Sequence, residues 1–344
     1  MPEYPGHGET MSDDLGFFIK PFELKIEITK ACNLRCSFCY LGDTTIWSAD
    51  YHMPEKEVIQ WIDWAVKNRI PAVRFTGGEA TMHPKIKMFC DYAYLQNRWI
   101  ILNTNAVSDD HLYDELIVND LRVSVPTLDS ERLDEITGGN GVLKKKLSLI
   151  ERNLADGKRQ VFMLTVLMPE LIGKLEPFVK LLQELPGLIW LPLRFESSPT
   201  NSRPLTRPQM QALAEEMSYL MDRYPDHAKG IYLAAPFCSV RPTSLGARVF
   251  HGKTANCGPY AALNVNFTGN LTACFGICEL YRSGSLEEVK KDPKLHDSCS
   301  LSALPRECRE CKYVQRCAGG CRKPSGLVGH TGKYIDYLAR FARG

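Results

Sequence analysis

Between residues 24 and 224 the chain alternates two hydrophobic periods. Leu24-Lys25-Ile26-Glu27-Ile28-Thr29 switches between apolar and polar at each step, as a half-buried strand does. Residues 54–68 carry apolar side chains at helical spacing, with Pro54 suited to a first turn. The pair of patterns then recurs. Further strands are expected over 72–76, 99–103, 121–125, 161–167 and 188–195. Helices are expected over 84–94, 142–155, 174–185 and 208–224, and from an N-cap at Ser108 through Val118. Six β-α units predict a parallel sheet covered by helices, with strands apolar enough to be buried on both faces. No GxGxxG loop is present, so the fold expected is α/β, a partial (β/α)6 TIM-like barrel. In barrels, chemistry gathers at the C-terminal strand ends. There lie residues 32–39, Gly77 to Glu79, Asn103 to Asn105, Ser124 and Thr127, and Arg194 and Glu196. The Pro/Ser-rich stretch 197–208 is a candidate substrate-facing loop.

The chain has 344 residues, 44% hydrophobic and 24% charged, which supplies a full globular core. Its formal charge, 42 − 40 = +2, gives no general attraction for a polyanion, so no nucleic-acid partner is expected. No run of 18 apolar residues offers a membrane span. The first twenty residues hold Glu3, Glu9, Asp13 and Asp14 and no apolar core, unlike a signal peptide, so a cytoplasmic location is expected. Thirteen cysteines change the picture. An odd number in a long chain without an export signal points to metal or redox chemistry, not to a disulfide framework.

Ten of the cysteines fall into two groups. Cys32-Asn-Leu-Arg-Cys36-Ser-Phe-Cys39 is a CxxxCxxC loop directly after the first strand. A 4Fe–4S cube normally takes four thiolates, and three close ones leave one iron open for a ligand. A zinc loop is the alternative, but this spacing fits the paired CxxC of zinc knuckles poorly. With Phe38 before the last cysteine and Gly77-Gly78-Glu79 closing the second strand, the sequence resembles the radical S-adenosylmethionine (SAM) superfamily. The resemblance implies that Cys32, Cys36 and Cys39 hold a 4Fe–4S cluster whose open iron chelates SAM. One electron then cleaves SAM to a 5′-deoxyadenosyl radical that abstracts a substrate hydrogen. It places Gly77, Gly78 and Glu79 beside the methionyl amino group, makes Phe38 part of the cofactor site, and makes Ser124 either a ribose contact or a hydroxyl satisfied by backbone. The family's common Asp two residues after that position is Pro126 here.

The second group is Cys257, Cys274, Cys278, Cys308, Cys311, Cys317 and Cys321. Cys308-x₂-Cys311-x₅-Cys317-x₃-Cys321 indicates a metal site, and the arrangement resembles the SPASM domain, an extension carrying one or two auxiliary 4Fe–4S clusters. The resemblance implies that Cys257, Cys274 and Cys321 share one cluster and Cys308, Cys311 and Cys317 the other. Cys278 is either a fourth ligand of the first or a buried thiol. Asp336 stands where the family has a final cysteine, and is either an oxygen ligand or a surface carboxylate. A zinc ribbon is the alternative reading of this group. The domains expected are an N-terminal extension (1–21), the barrel (22–235) and an auxiliary cluster domain (236–344).

The SPASM-bearing sulfatase-maturing enzymes place an Asp base where Phe275 stands here, which disfavours their reaction. Only thirty-one residues precede Cys32, so no N-terminal peptide-binding domain is expected. The function expected is a radical SAM oxidoreductase or maturase modifying a peptide by crosslinking, epimerisation or oxidation. The alternative substrate is a sugar, aminoglycoside or other small natural product. The resemblance also implies an electron donor such as flavodoxin or ferredoxin. Alternatives of another class are an iron–sulfur sensor or electron carrier, and a zinc-stabilised binding module. Cys238, between the two metal-binding regions, is either a hydrogen donor to the substrate radical or a packing residue. Cys90 reads as core, and Cys299 as surface or core.

Overall fold

The computed structural model describes residues 21–41, 51–108, 110–194, 205–227, 262–272, 285–293, 304, 306–312 and 314. The alternating pattern folds as expected. Strands β1 (Glu23–Thr29), β2 (Ala72–Gly77), β3 (Trp99–Thr104), β4 (Asp120–Ser124), β5 (Gln160–Leu167) and β6 (Leu188–Arg194) pair in sequence order, all parallel. Between them run α1 (Glu55–Lys67), α2 (Ile86–Leu95), α3 (Asp110–Glu115), α4 (Ser130–Thr137), α5 (Val142–Asp156) and α6 (Glu176–Glu184). Helix α7 (Arg207–Arg223) follows β6. The result is an unclosed α/β sheet of the partial-barrel kind.

The structure differs from the sequence expectation at four places. Helix α4 was not expected. Helix α3 ends short of Val118, and the Ser108 hydroxyl meets Thr81 Oγ1 at 2.5 Å. Among the described residues the sheet also has eight strands, two more than the six expected. Strand β7 (Ala262–Val265) lies parallel to β1 on its free edge, and β8 (Leu271–Thr272) is antiparallel to β7. Two short helices, α8 (Leu286–Val289) and α9 (Arg306–Arg309), lie beyond it.

Fourth, the two faces of the sheet are unlike. Leu24, Ile26, Ile28, Val73, Phe75, Ile100, Leu102, Leu121 and Val123 pack under helix residues such as Val58, Ile62, Phe89, Leu149 and Phe178 in one core. The opposite face is buried too, but largely polar. Glu23 takes Arg74 at 2.6 Å, Asp120 takes Arg122 at 2.9 Å, and Trp99 Nε1 donates to Asp120 at 2.9 Å. Burial alone would raise the Glu23 carboxyl, but Arg74, Lys25 and Arg122 outweigh it and hold the pKa low. In parallel register this face continues through Glu27, Thr76, Asn103 and Ser124 toward the C-terminal strand ends.

Candidate active site

The Cys32–Cys39 loop leaves the C-terminal end of β1 and is hung on α4. Arg35 N donates to Thr137 O at 2.6 Å and Ser37 N to Ile136 O at 2.8 Å. Helix α4 is built to stop there. Asp129 caps its start by accepting from Arg132 N, and Gly138, at φ 64°, turns the chain at its end. A side chain at Gly138 would meet Arg35 Cβ at 3.1 Å, so helix end and loop are in contact. Leu34 packs with Leu133 and Val142, and Cys32 and Cys36 lie against this cluster. Phe38 packs with Ile136, Met168 and Val166.

All three cysteines are half-buried and free of disulfides. Burial pushes the Cys32 thiol up to about 11 and the Cys36 thiol to about 12. A thiol in this environment stays protonated at neutral pH unless a cation takes up its charge, as a coordinating metal does. Among the described residues no three such side chains are arranged around a single metal ion. That is the geometry of a mononuclear site, whereas cube ligands each hold their own iron.

The Gly77-Gly78-Glu79 turn closes on the loop's first residues. Gly78 N donates to Thr29 O at 2.8 Å and Glu79 N to Ala31 O at 2.7 Å. A Cβ at Gly77 would stand 2.3 Å from Thr29 O, and one at Gly78 2.4 Å from Ala31 O. The glycines thus admit close approach of backbone to backbone at the root of the cysteine loop. Buried Glu79 accepts from Thr81 N and Oγ1 (3.1 and 2.6 Å), Thr104 Oγ1 (2.9 Å) and Asn105 N (2.6 Å). Its carboxylate therefore ties the ends of β2 and β3 together. Ser124, half-exposed at the end of β4, makes no hydroxyl hydrogen bond among the described residues and can meet a ligand.

Three residues escaped the sequence reading, and a fourth, Asn105, was expected only as one of the C-terminal strand ends. Asn105 directs Nδ2 at Cys32 Sγ, 3.8 Å away, and at Asn33 Oδ1, 2.7 Å away. Lys146 is buried on α5 and donates to Asn105 O at 2.5 Å. Burial pulls its pKa down to about 8, against the pull of Cys36, Glu79 and Cys32. Tyr40, next to Cys39, donates to Glu27 Oε1 at 2.9 Å, and Phe267 N donates to Oε2 at 3.3 Å. Burial raises the Glu27 carboxyl to about 7 despite these bonds and nearby Lys30. Lys146 carried a signal: it shares the α5 stripe of Val142, Leu149, Ile150 and Asn153. Glu27 carried none, because a polar residue alternating in a strand reads as solvent-facing.

In the second group, Cys308 on α9 is buried and Cys311 half-buried one turn on, with Cys311 N donating to Cys308 O at 3.1 Å. Cys90 is fully buried in α2, as expected. Cys238, Cys257, Cys274, Cys278, Cys299, Cys317, Cys321 and Asp336 lie outside the described residues, as does Glu196.

The Radical SAM superfamily model matches residues 26–182, a little under half of the chain. That superfamily is one of enzymes that hold a 4Fe–4S cluster and SAM. Curated relatives include the GTP 3′,8-cyclase of Synechocystis sp., 30% identical over 170 residues (47% of this chain, 50% of that protein). That of Clostridium botulinum is 28% identical over 151 residues (42% and 47%). The chain spans about half the length of these curated relatives. Among solved structures, Streptococcus suis SuiB bound to S-adenosylmethionine superposes with TM-score 0.67 at 16% identity, covering 93% of this chain and 77% of that one. Native anSMEcpe with bound AdoMet gives 0.66 at 16% identity, covering 92% and 94%. Both have also been solved with peptides, SuiB with precursor peptide SuiA and anSMEcpe with a Kp18Cys peptide. At these identities the likeness is one of fold. No helix among the described residues is long and apolar enough to cross a membrane.

Proposed function

We propose that the protein is a radical SAM enzyme that modifies a peptide by crosslinking, epimerisation or oxidation. The observation that carries this is the CxxxCxxC loop at the C-terminal end of β1, bonded through Thr29 and Ala31 to Gly77-Gly78-Glu79 within the residues that match the radical SAM superfamily. The residues fit a 4Fe–4S cluster: three thiols in one loop outside any disulfide, an amide aimed at one sulfur, and a buried ammonium nearby. Cys32, Cys36 and Cys39 would hold it. When bound, cluster and SAM supply a 5′-deoxyadenosyl radical that abstracts a substrate hydrogen.

The rest falls to the chain itself. Gly77, Gly78 and Glu79 fix the turn beside the loop, Phe38 packs behind its last cysteine, and Ser124 offers a hydroxyl for the ribose. Glu27 is the candidate proton acceptor on the polar face; in the sequence, Phe275 leaves the sulfatase-maturing position without a carboxylate. The electron comes from a donor such as flavodoxin or ferredoxin. Auxiliary clusters at Cys257, Cys274, Cys321 and Cys278, and at Cys308, Cys311, Cys317 and Asp336, belong to this proposal, as does Cys238 as hydrogen donor.

Support for a peptide is that SuiB and anSMEcpe, which share the fold across most of this chain, are solved with peptides. A second reading, a small polar metabolite, is favoured by the GTP 3′,8-cyclases among the sequence relatives. Electron paramagnetic resonance of the anaerobic, reduced protein tests the common core. Adding SAM should change the spectrum of one cluster, and an unchanged spectrum would refute the proposal. Mass spectrometry of turnover mixtures separates the readings: loss of hydrogens from, or deuterium gain by, a peptide encoded beside this gene supports the first, and modification of a nucleotide or sugar alone the second.

A further inference from the structure

Lys144, Lys145 and Lys146 are three consecutive cations in the sequence. On α5 the first two are exposed, while Lys146 is 1% exposed within the apolar stripe. Its ammonium donates to a neutral carbonyl, that of Asn105, and among the described residues it forms no ion pair. A buried cation in that state is costly unless negative charge faces it. The negative or ionisable groups around it are Cys36, Glu79 and Cys32. Glu79 is already held by donors from Thr81, Thr104 and Asn105, so the negative charge that remains to face Lys146 is that of the sulfurs once they hold a cluster. Asn105 joins the parts: its carbonyl receives Lys146, its backbone N–H holds Glu79, and its side-chain amide points at Cys32 Sγ.

We infer that Lys146 and Asn105 set the reduction potential of the iron–sulfur cluster held by Cys32, Cys36 and Cys39; this rests on the reading of that loop as a cluster site. Reduction adds negative charge to the cluster. A buried ammonium and an N–H···S bond both favour the reduced state and so raise the potential. Neither residue reacts; Lys146 acts through its charge and through the placement of Asn105. A purely structural lysine would move stability and leave the potential alone.

The test is potentiometric titration of the anaerobic full chain, following by paramagnetic resonance the signal that responds to SAM. That choice separates this cluster from any other. At the wild-type midpoint, Lys146→Met should lower the reduced-to-oxidised ratio about tenfold, equivalent to ~59 mV for one electron. Asn105→Ser should lower it about threefold in the same direction, through loss of one outer hydrogen bond. Lys146→Arg, which keeps the charge, should hold the wild-type midpoint. An unchanged midpoint in Lys146→Met overturns the inference while leaving the cluster in place. Should that variant fail to fold, Asn105→Ser, at a half-exposed position, decides alone, and an unchanged midpoint there overturns it equally. If the wild type gives no SAM-responsive signal, or the signal survives loss of the three cysteines, the cluster reading falls first and this inference with it.

Discussion

Glu27 offers a quantitative test of the polar inner face. Its carboxyl is 2% exposed, accepts from Tyr40 and Phe267, and is held near 7 by burial, against an ordinary 4.5. A carboxyl raised in the folded state contributes stability that is present below the unfolded value and lost as pH rises through the folded one. The full loss is about 3 kcal/mol, of which about 2 kcal/mol falls between pH 5.5 and 8.5. Glu27→Gln keeps the shape and the bond from Tyr40 but cannot ionise. It loses the Phe267 N–H bond, a cost of about 1 kcal/mol that does not vary with pH. Denaturant unfolding of the anaerobic protein at both pH values isolates the pH-dependent part. The variant should gain about 2 kcal/mol on the wild type on going from pH 5.5 to 8.5. Parallel stability curves for the two proteins would refute the assignment of a raised, buried Glu27 carboxyl.

Three other substitutions probe the frame of the site. Gly78→Ala drives a methyl group to within 2.4 Å of a backbone oxygen that cannot swing aside. It should cost more than about 2 kcal/mol and abolish SAM binding by isothermal titration; normal binding would show that the turn yields. Lys30 lies 3.9 Å from the Phe267 ring centroid and 4.8 Å from that of Tyr51. Lys30→Ala should cost about 1 kcal/mol in a urea melt and raise amide exchange in β7 and β8, and unchanged exchange would deny the clamp a role. Thr206→Ala breaks the reciprocal cap with Gln209 at the start of α7 and should cost about 1 kcal/mol in the same melt.

The sequence made the frame legible where pattern and structure are both local. The alternation at 24–29 and the helical stripe at 54–68 need only neighbouring residues, and β1 and α1 fall there. Helix α4 is eight residues long with two apolar positions, Leu133 and Ile136, too few to show a period. Its caps, Asp129 and Gly138, carry a signal that the sequence reading did not use. Strand β7 pairs with β1 across more than two hundred residues, and four residues of mixed polarity do not announce such a partner. The motif residues at 32–39 and 77–79 were legible as chemistry. What surrounds them was less so: Asn105 meets Cys32 only because β1 and β3 end at the same edge, with β2 between them. The polar inner face was hidden because Glu23 and Arg74 pair across strands while Asp120 and Arg122 pair two residues apart along β4.

The central claim is that Cys32, Cys36 and Cys39 form the centre at which SAM is cleaved. The most direct measurement is chromatographic quantification of 5′-deoxyadenosine from the anaerobic protein given SAM and a strong one-electron reductant. The wild type should form it without added substrate, and the Cys32→Ala/Cys36→Ala/Cys39→Ala variant should form none while keeping the fold by circular dichroism. 5′-Deoxyadenosine from the folded triple variant at the wild-type rate, or none from an iron-loaded wild type, would contradict the account.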